Sequence, residues 1–476
     1  MKNLSTPEEN GKRGKTPEDE LALGGSSATP PEPHWVSQDI VCLFGARALR
    51  SVALGYIGIV LPIYLAELGY SAVYLGTMFS LSALASAIIA ALTGVLADRL
   101  GRKLFIVVIP LMMTAGCIVF AFTRNFTVMV LAASLGTFGF PATAGMGGGW
   151  GPYYPAAQSL IAEKIADLQR TSVFGVLSFV GVVAAALGSL LAAAPGLLHH
   201  LIGISMFAGY RALFLFAALL SLLMAVVVLP VRESSQSDPT KPTTRAKAES
   251  ANPPREELHK FAPGSVLDPK RKRLGLSAPS WRLIVRFMIT NAVNGLAIGM
   301  LGPFVVYWFY RRFGASASDL ARLFFLINLL ATLPYLLAGR LTRLLGTVST
   351  VASTRIVSAA MLFVMVVMPS FLLAALLYAL RMIAATLSIP VRQSFLMGVI
   401  EPSERASAAG ISSLPTSGAQ ALSAYFAGFM MQNFALSLPL ELAAVLQAIF
   451  GGLYWIFFKD IRPPEEEHRV PGVMSQ

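Results

Sequence analysis

Apolar positions along this chain come in long blocks separated by short polar connectors, not in the two-residue rhythm of strands. The apolar runs cover about 40–66, 72–93, 104–122, 126–163, 171–194, 209–230, 282–309, 320–338, 348–368, 371–400, 406–431 and 438–458. Crossing a hydrocarbon layer takes roughly 20 apolar residues of helix. Inside lipid a segment must satisfy its own backbone hydrogen bonds, so runs without strand alternation predict helices. The pattern predicts an all-α polytopic membrane protein with twelve transmembrane helices.

An even number of spans puts both chain ends on one face, and the basic residues orient it. Of 37 Lys and Arg, 26 lie in the tails and connectors of that face, whereas the opposite connectors hold only Arg124, Arg311 and Arg312. Such an excess marks the cytoplasmic side. Both termini are therefore expected in the cytoplasm, on a multi-pass protein of the cytoplasmic (plasma or inner) membrane. Residues 232–280 are rich in Pro, Ser, Thr, Lys and Glu and end near the run Lys270, Arg271, Lys272, Arg273. The expected organisation is a disordered tail over 1–38, a six-helix half over 39–231, a cytoplasmic linker over 232–280, a second six-helix half over 281–459 and a tail over 460–476. The first segment contains Pro30, Pro31 and Pro33 and has no apolar core of a secretory signal.

Composition narrows the function classes. The chain is 55% hydrophobic and 13% charged, against roughly 25% charged in a soluble globular protein. A soluble enzyme is excluded on that ground. The formal charge of +12 resides mostly in membrane connectors, so it reads as orientation and not as nucleic-acid binding. Cys42 and Cys117 lie inside apolar runs and build neither a disulfide framework nor a metal site. There is no phosphate-binding glycine loop with its lysine and no metal-ligand spacing. No enzymatic activity and no cofactor are expected; the partners are a small-molecule substrate and the lipid bilayer, and the chain is expected to act as a monomer.

The two halves carry an internal repeat. Leu68-Gly69-Tyr70-Ser71-Ala72 matches Phe313-Gly314-Ala315-Ser316-Ala317 at an offset of 245, and Gly94, Leu96 and Gly101 match Gly339, Leu341 and Gly346 at the same offset. Pro155, Gln158, Ser159, Arg170 and Gly175 match Pro390, Gln393, Ser394, Arg405 and Gly410 at 235. The extra ten residues of the first half must fall between Asn125 and Pro155. That interval holds Gly139-Phe140-Pro141 and Gly145-Met146-Gly147-Gly148-Gly149-Trp150-Gly151-Pro152, which an ordinary helix does not tolerate. The fourth span is expected to be a broken helix, with Gly147, Gly149, Gly151 and Pro152 either on the substrate side or gating a cavity, or else forming a packed bulge or an extracellular extension.

Between spans two and three stands Gly94-Val95-Leu96-Ala97-Asp98-Arg99-Leu100-Gly101-Arg102-Lys103. It closely resembles the signature loop of the major facilitator superfamily. Glycines there allow a tight turn, basic residues hold the loop in the cytoplasm, and an aspartate beside cations can latch neighbouring helices. The resemblance implies a fold of two pseudo-symmetric six-helix halves that rock about a central site, with Gly94, Asp98, Arg99, Gly101 and Arg102 in gating and helices one, four, seven and ten lining the cavity. The second copy departs from the pattern, because Arg343 stands where Asp98 would be.

Ionisable groups deep in a span are costly and mark function by default. All 25 Asp and Glu fall in tails, connectors or span edges. Arginines are present instead: Arg47 and Arg50 on one face of span one, and Arg381 in the middle of span ten. Asn291 and Asn294 mark one face of span seven. Arginine binds carboxylate or phosphate through a planar fork, so these five residues form the candidate substrate site and favour an anion. They could instead bond helix carbonyls or reach for the membrane surface; Arg211, Arg286, Arg322 and Arg392, near span ends, are expected to reach outward. Span five lacks the Gly-Pro pair of drug antiporters. The expected function is secondary active or facilitative transport of a small solute by alternating access, with a drug or lipophile exporter of this fold, or a non-transporting membrane sensor or scaffold, as alternatives.

Overall fold

Helices begin and end where the sequence places its glycines, prolines and capping residues. The computed structural model describes residues 37–136, 151–165, 170–231, 278–400 and 405–461. The tail over 1–36, the linker over 232–277 and the centre of the glycine-rich stretch, including Gly147 and Gly149, lie outside the described residues. Among the described residues there are helices and no strands. All belong to one compact unit, Gln38–Gln476.

The first half contains α1 (Gln38–Glu67), α2 (Ala72–Leu100), α3 (Arg102–Phe122), α4 (Phe126–Leu135), α5 (Tyr153–Lys164), α6 (Arg170–Leu191), α7 (Ala194–Ile202) and α8 (Met206–Val228). The second contains α9 (Ala278–Leu301), α10 (Phe304–Phe313), α11 (Ala317–Leu330), α12 (Leu333–Leu345), α13 (Thr347–Val367), α14 (Phe371–Val399), α15 (Arg405–Asn433) and α16 (Leu438–Phe458). Grouped by span, these form the twelve-helix, two-half fold. Nine spans among the described residues are continuous and apolar enough to cross a membrane on composition alone. The remaining three are the pair α4 and α5, the pair α11 and α12, and α15, which is 29 residues long but rich in Ser, Thr and Gln.

The repeat extends to the backbone. Helix α3 starts at Arg102 and ends at Phe122, and α13 runs from Thr347 to Val367, both ends displaced by the sequence offset of 245. Gly101 (φ 91°) and Gly346 (φ 79°) make the same left-handed turn before them, as do Gly69 (φ 84°) and Gly314 (φ 64°) before α2 and α11. Only glycine adopts such a φ without strain. Helix α14 runs unbroken from Phe371 to Val399, while in its counterpart α4 ends at Leu135, α5 starts at Tyr153 and the centre of the stretch between them lies outside the described residues. The eighth span also divides, between α11 and α12, which the apolar pattern does not signal. Pro334, in the first turn of α12, cannot supply the backbone N–H that a continuous helix needs.

Glycine and other small residues let the helices approach, as expected where apolar burial cannot drive association in lipid. The two halves meet through α2 against α15 and α6 against α11, pairs that the repeat relates to one another. Their polar contacts lie toward the face opposite the chain ends: the Val73 N–H donates to Gln432 Oε1 at 3.3 Å, and Asn328 Nδ2 donates to Ser189 Oγ at 3.4 Å. One apolar core unites both halves at that far face, including Tyr64, Phe79, Phe214, Trp308 and Phe324. Toward the tail face the second half has its own core around Phe287, Phe395, Tyr454 and Phe458, with no first-half residue among the described ones. Among the described residues, the halves share their apolar core at the far face.

Candidate functional site

Arg47 and Arg50 lie one turn apart on α1, a helix buried along most of its length, and are 7% and 3% exposed. Arg50 lies about 18 Å along α1 at 1.5 Å per residue, well inside a hydrocarbon layer. Its Nη1 meets the Sδ of Met113 on α3 at 3.7 Å, and its Cζ lies 5.9 Å from the ring centroid of Tyr153 on α5. A thioether is a weak acceptor, and an aromatic face attracts a cation without neutralising it. The guanidinium therefore remains a donor with unspent charge.

The described end of the glycine-rich break packs on this cation. A Cβ at Gly151 would come within 2.5 Å of Arg50 Nη2. The absence of a side chain at Gly151 thus makes room for the guanidinium, and Pro152 and Tyr153 begin α5 directly behind it. Gly151→Ala is expected to fold, because the atom it meets is the end of a flexible side chain, but to displace Arg50. Thermal melting close to that of the parent, with weakened ligand binding, is the expected result.

In the second half, Arg381 is 4% exposed on α14. Its Nη1 meets Met382 Sδ at 3.0 Å, its Cζ lies 5.5 Å from the Tyr378 ring, and its Nε is buried without a hydrogen-bond partner. Asn291 Nδ2 donates to the Ser412 carbonyl on α15 at 2.7 Å, and its Oδ1 accepts from Arg392 Nη2 at 2.7 Å. Asn294 is buried and its Oδ1 has no partner.

Arg392 corrects the expectation from sequence. It does not reach outward; α14 continues to Val399, which leaves Arg392 two turns inside the helix and held by Asn291. Arg211, Arg286 and Arg322 are exposed as expected. Arg355 on α13 went unrecognised: it is 5% exposed, and its Nε donates to Ser388 Oγ at 2.7 Å. The polar stripe Thr350, Thr354, Ser358 beside it was the available signal, since such spacing marks one helix face. Gln447 on α16, 1% exposed and accepting from Ser358 Oγ at 3.0 Å, escaped notice for the same reason. Among the described buried residues there are four arginines and no carboxylate.

The signature loop is a single-residue turn, since α2 ends at Leu100, Gly101 reverses the chain and α3 starts at Arg102. Gly94, Asp98 and Arg99 lie in α2, but their side chains fall outside the described residues. A Major Facilitator Superfamily model matches residues 43–286, more than half of the chain, from α1 through the linker into α9. The chain belongs to the Major Facilitator Superfamily. It is a multi-pass membrane transporter and not an enzyme, as the sequence implied. An uncharacterized membrane protein of Saccharomyces cerevisiae is 22% identical over 406 residues, 83% of this chain and 89% of that one. The quinolone resistance protein NorA of Staphylococcus aureus is 30% identical over 212 residues, 44% of this chain and 48% of its own. The structure of a bacterial homolog of the human lysosomal transporter Spinster, in an inward-facing and unoccupied conformation, superposes with a TM-score of 0.66 at 15% identity, over 90% of this chain and 97% of that one. This Major Facilitator Superfamily chain therefore shares its fold with transporters.

Proposed function

We propose that this protein is a secondary active or facilitative carrier that moves a small anionic solute across the cytoplasmic membrane by alternating access. The observation that carries the reading is the buried charge: Arg50, Arg355 and Arg381 are enclosed with no buried carboxylate among the described residues. An isolated buried cation is expensive, so a site of this kind is completed by a counter-charge. An anionic substrate supplies it. Arg47, Arg50, Asn291, Asn294 and Arg381 form the proposed substrate site, and they come from both halves, as rocking about a central site requires.

The remaining assignments follow from this. The halves are residues 39–231 and 281–459, joined by a cytoplasmic linker over 232–280, and both termini are cytoplasmic on the distribution of basic residues. On that orientation, the far-face core shared by the two halves supports a state closed to the outside. Asp98, with Arg99 and Arg102, is the proposed latch of the opposite state, with Gly94 and Gly101 allowing the turn. The unit is a monomer in the membrane.

A thermal-shift screen of the purified protein against anions, sugars and hydrophobic cations tests the reading, since a ligand of the folded state raises its melting temperature. Stabilisation by anions is expected. Stabilisation by hydrophobic cations alone would replace the reading with drug export; the relative NorA is named for quinolone resistance.

A further inference from the structure

The cationic groups of the second half extend beyond the proposed substrate site in a specific arrangement. Arg355 on α13 and Arg392 on α14 flank one ring, their Cζ atoms 5.3 and 5.1 Å from the centroid of Phe450 on α16. Each is held by one neutral acceptor: Ser388 Oγ takes the Nε of Arg355, and Asn291 Oδ1 takes Nη2 of Arg392, both at 2.7 Å. These bonds orient the guanidinium planes but cancel no charge. Ser388 and Arg392 stand at i and i+4 on α14, on one face of the helix. The hydroxyl of Tyr454, whose ring lies 5.9 Å from the Phe450 ring, is buried without a hydrogen-bond partner.

A planar carboxylate carries one charge and is matched by one fork. A phosphoryl group carries about −1.5 to −2 charge at neutral pH and three acceptor oxygens pointing in different directions. Two guanidinium groups held by neutral side chains, with a free hydroxyl nearby, suit the second kind of anion. We propose that Arg355 and Arg392, with the Tyr454 hydroxyl, form a subsite for a phosphate or phosphonate dianion, carried either by a soluble substrate or by a lipid headgroup. This rests on the anion-carrier reading above and names the substrate class of its second-half pole.

Isothermal titration of the purified full-length protein with methyl phosphate and with acetate tests it. The parent is expected to bind methyl phosphate at least about tenfold more tightly than acetate, and Arg355→Gln or Arg392→Gln to lose about tenfold or more toward methyl phosphate, the scale of one charge-assisted hydrogen bond. Arg392→Lys, which keeps the charge and loses the fork, is expected to fall between parent and Gln. Competition by phosphatidic acid in mixed micelles would identify a headgroup as the source; indifference to it would identify a soluble phosphate, and either supports the subsite. Equal binding of acetate, with affinity for methyl phosphate unchanged in both Gln variants, would overturn the subsite and leave the anion reading standing. Binding of neither anion would overturn both.

Discussion

Arg50→Ala is expected to abolish most of the anion affinity while leaving the fold as stable as before, or more so. The guanidinium is 3% exposed, and a thioether and an aromatic face are its described neighbours. A hydrogen bond from a charged group to a ligand contributes about 1.5–3 kcal/mol, so one good contact corresponds to roughly tenfold to a hundredfold in affinity. In the unliganded protein the same group is a buried, uncompensated cation, whose removal relieves a desolvation cost. The two effects have opposite signs, and that sign pattern separates a ligand-binding arginine from a structural one. Thermal melting without ligand and titration with the anions that stabilise the parent measure both. A large drop in melting temperature with unchanged anion affinity would mean that Arg50 braces α1 against α3 and α5 instead.

Gly428→Val is expected to damage the protein in the other way, through the interface on which the halves rock. A Cβ at Gly428 would overlap the carbonyl oxygen of Ala72 and come within 3.0 Å of the Gly76 Cα. Reciprocally, a Cβ at Gly76 would meet the Ala424 carbonyl oxygen at 2.6 Å. These are backbone atoms, so no rotamer change relieves the overlap; α2 and α15 must separate. Overpacking of this kind costs about 1–3 kcal/mol, and here it acts on the far-face closure. The expected outcome is a lower melting temperature and loss of transport. Gly452→Val, where a Cβ meets nothing within 4 Å, is the control and should behave as the parent.

Much of this was legible in the sequence because duplicated chains expose their own registration. The offsets of 245 and 235 located the ten-residue insertion, and the boundaries of α3, α13 and α14 agree with them. Apolar run length served where a span is one continuous helix. It failed at α11 and α12, where the interruption at Pro334 lies inside an apolar run, because hydropathy is indifferent to a missing N–H. Side-chain fate was less legible. Distance from a span end placed Arg392 at the surface, but Asn291, 101 residues away in sequence, holds it inside. Only the packing of α9 against α14 and α15 creates that acceptor, and no local pattern encodes it. Arg355 was overlooked because its significance depends on Ser388 and Phe450, which come from two other helices. Arg50 was recognisable from depth alone, whereas Gly151 read as a helix breaker with a gating role, and its contact with Arg50 came only from the packing of α5 on α1.

The central claim is that uncompensated buried arginines recognise an anionic cargo. Electrical recording from protein-loaded membranes on a solid support, during rapid jumps in the concentration of anions, sugars and hydrophobic cations, tests it most directly. The account predicts transient currents on anion jumps that disappear in the Arg50→Ala, Arg381→Ala double variant. Currents on cation jumps alone, unchanged in that variant, would contradict it.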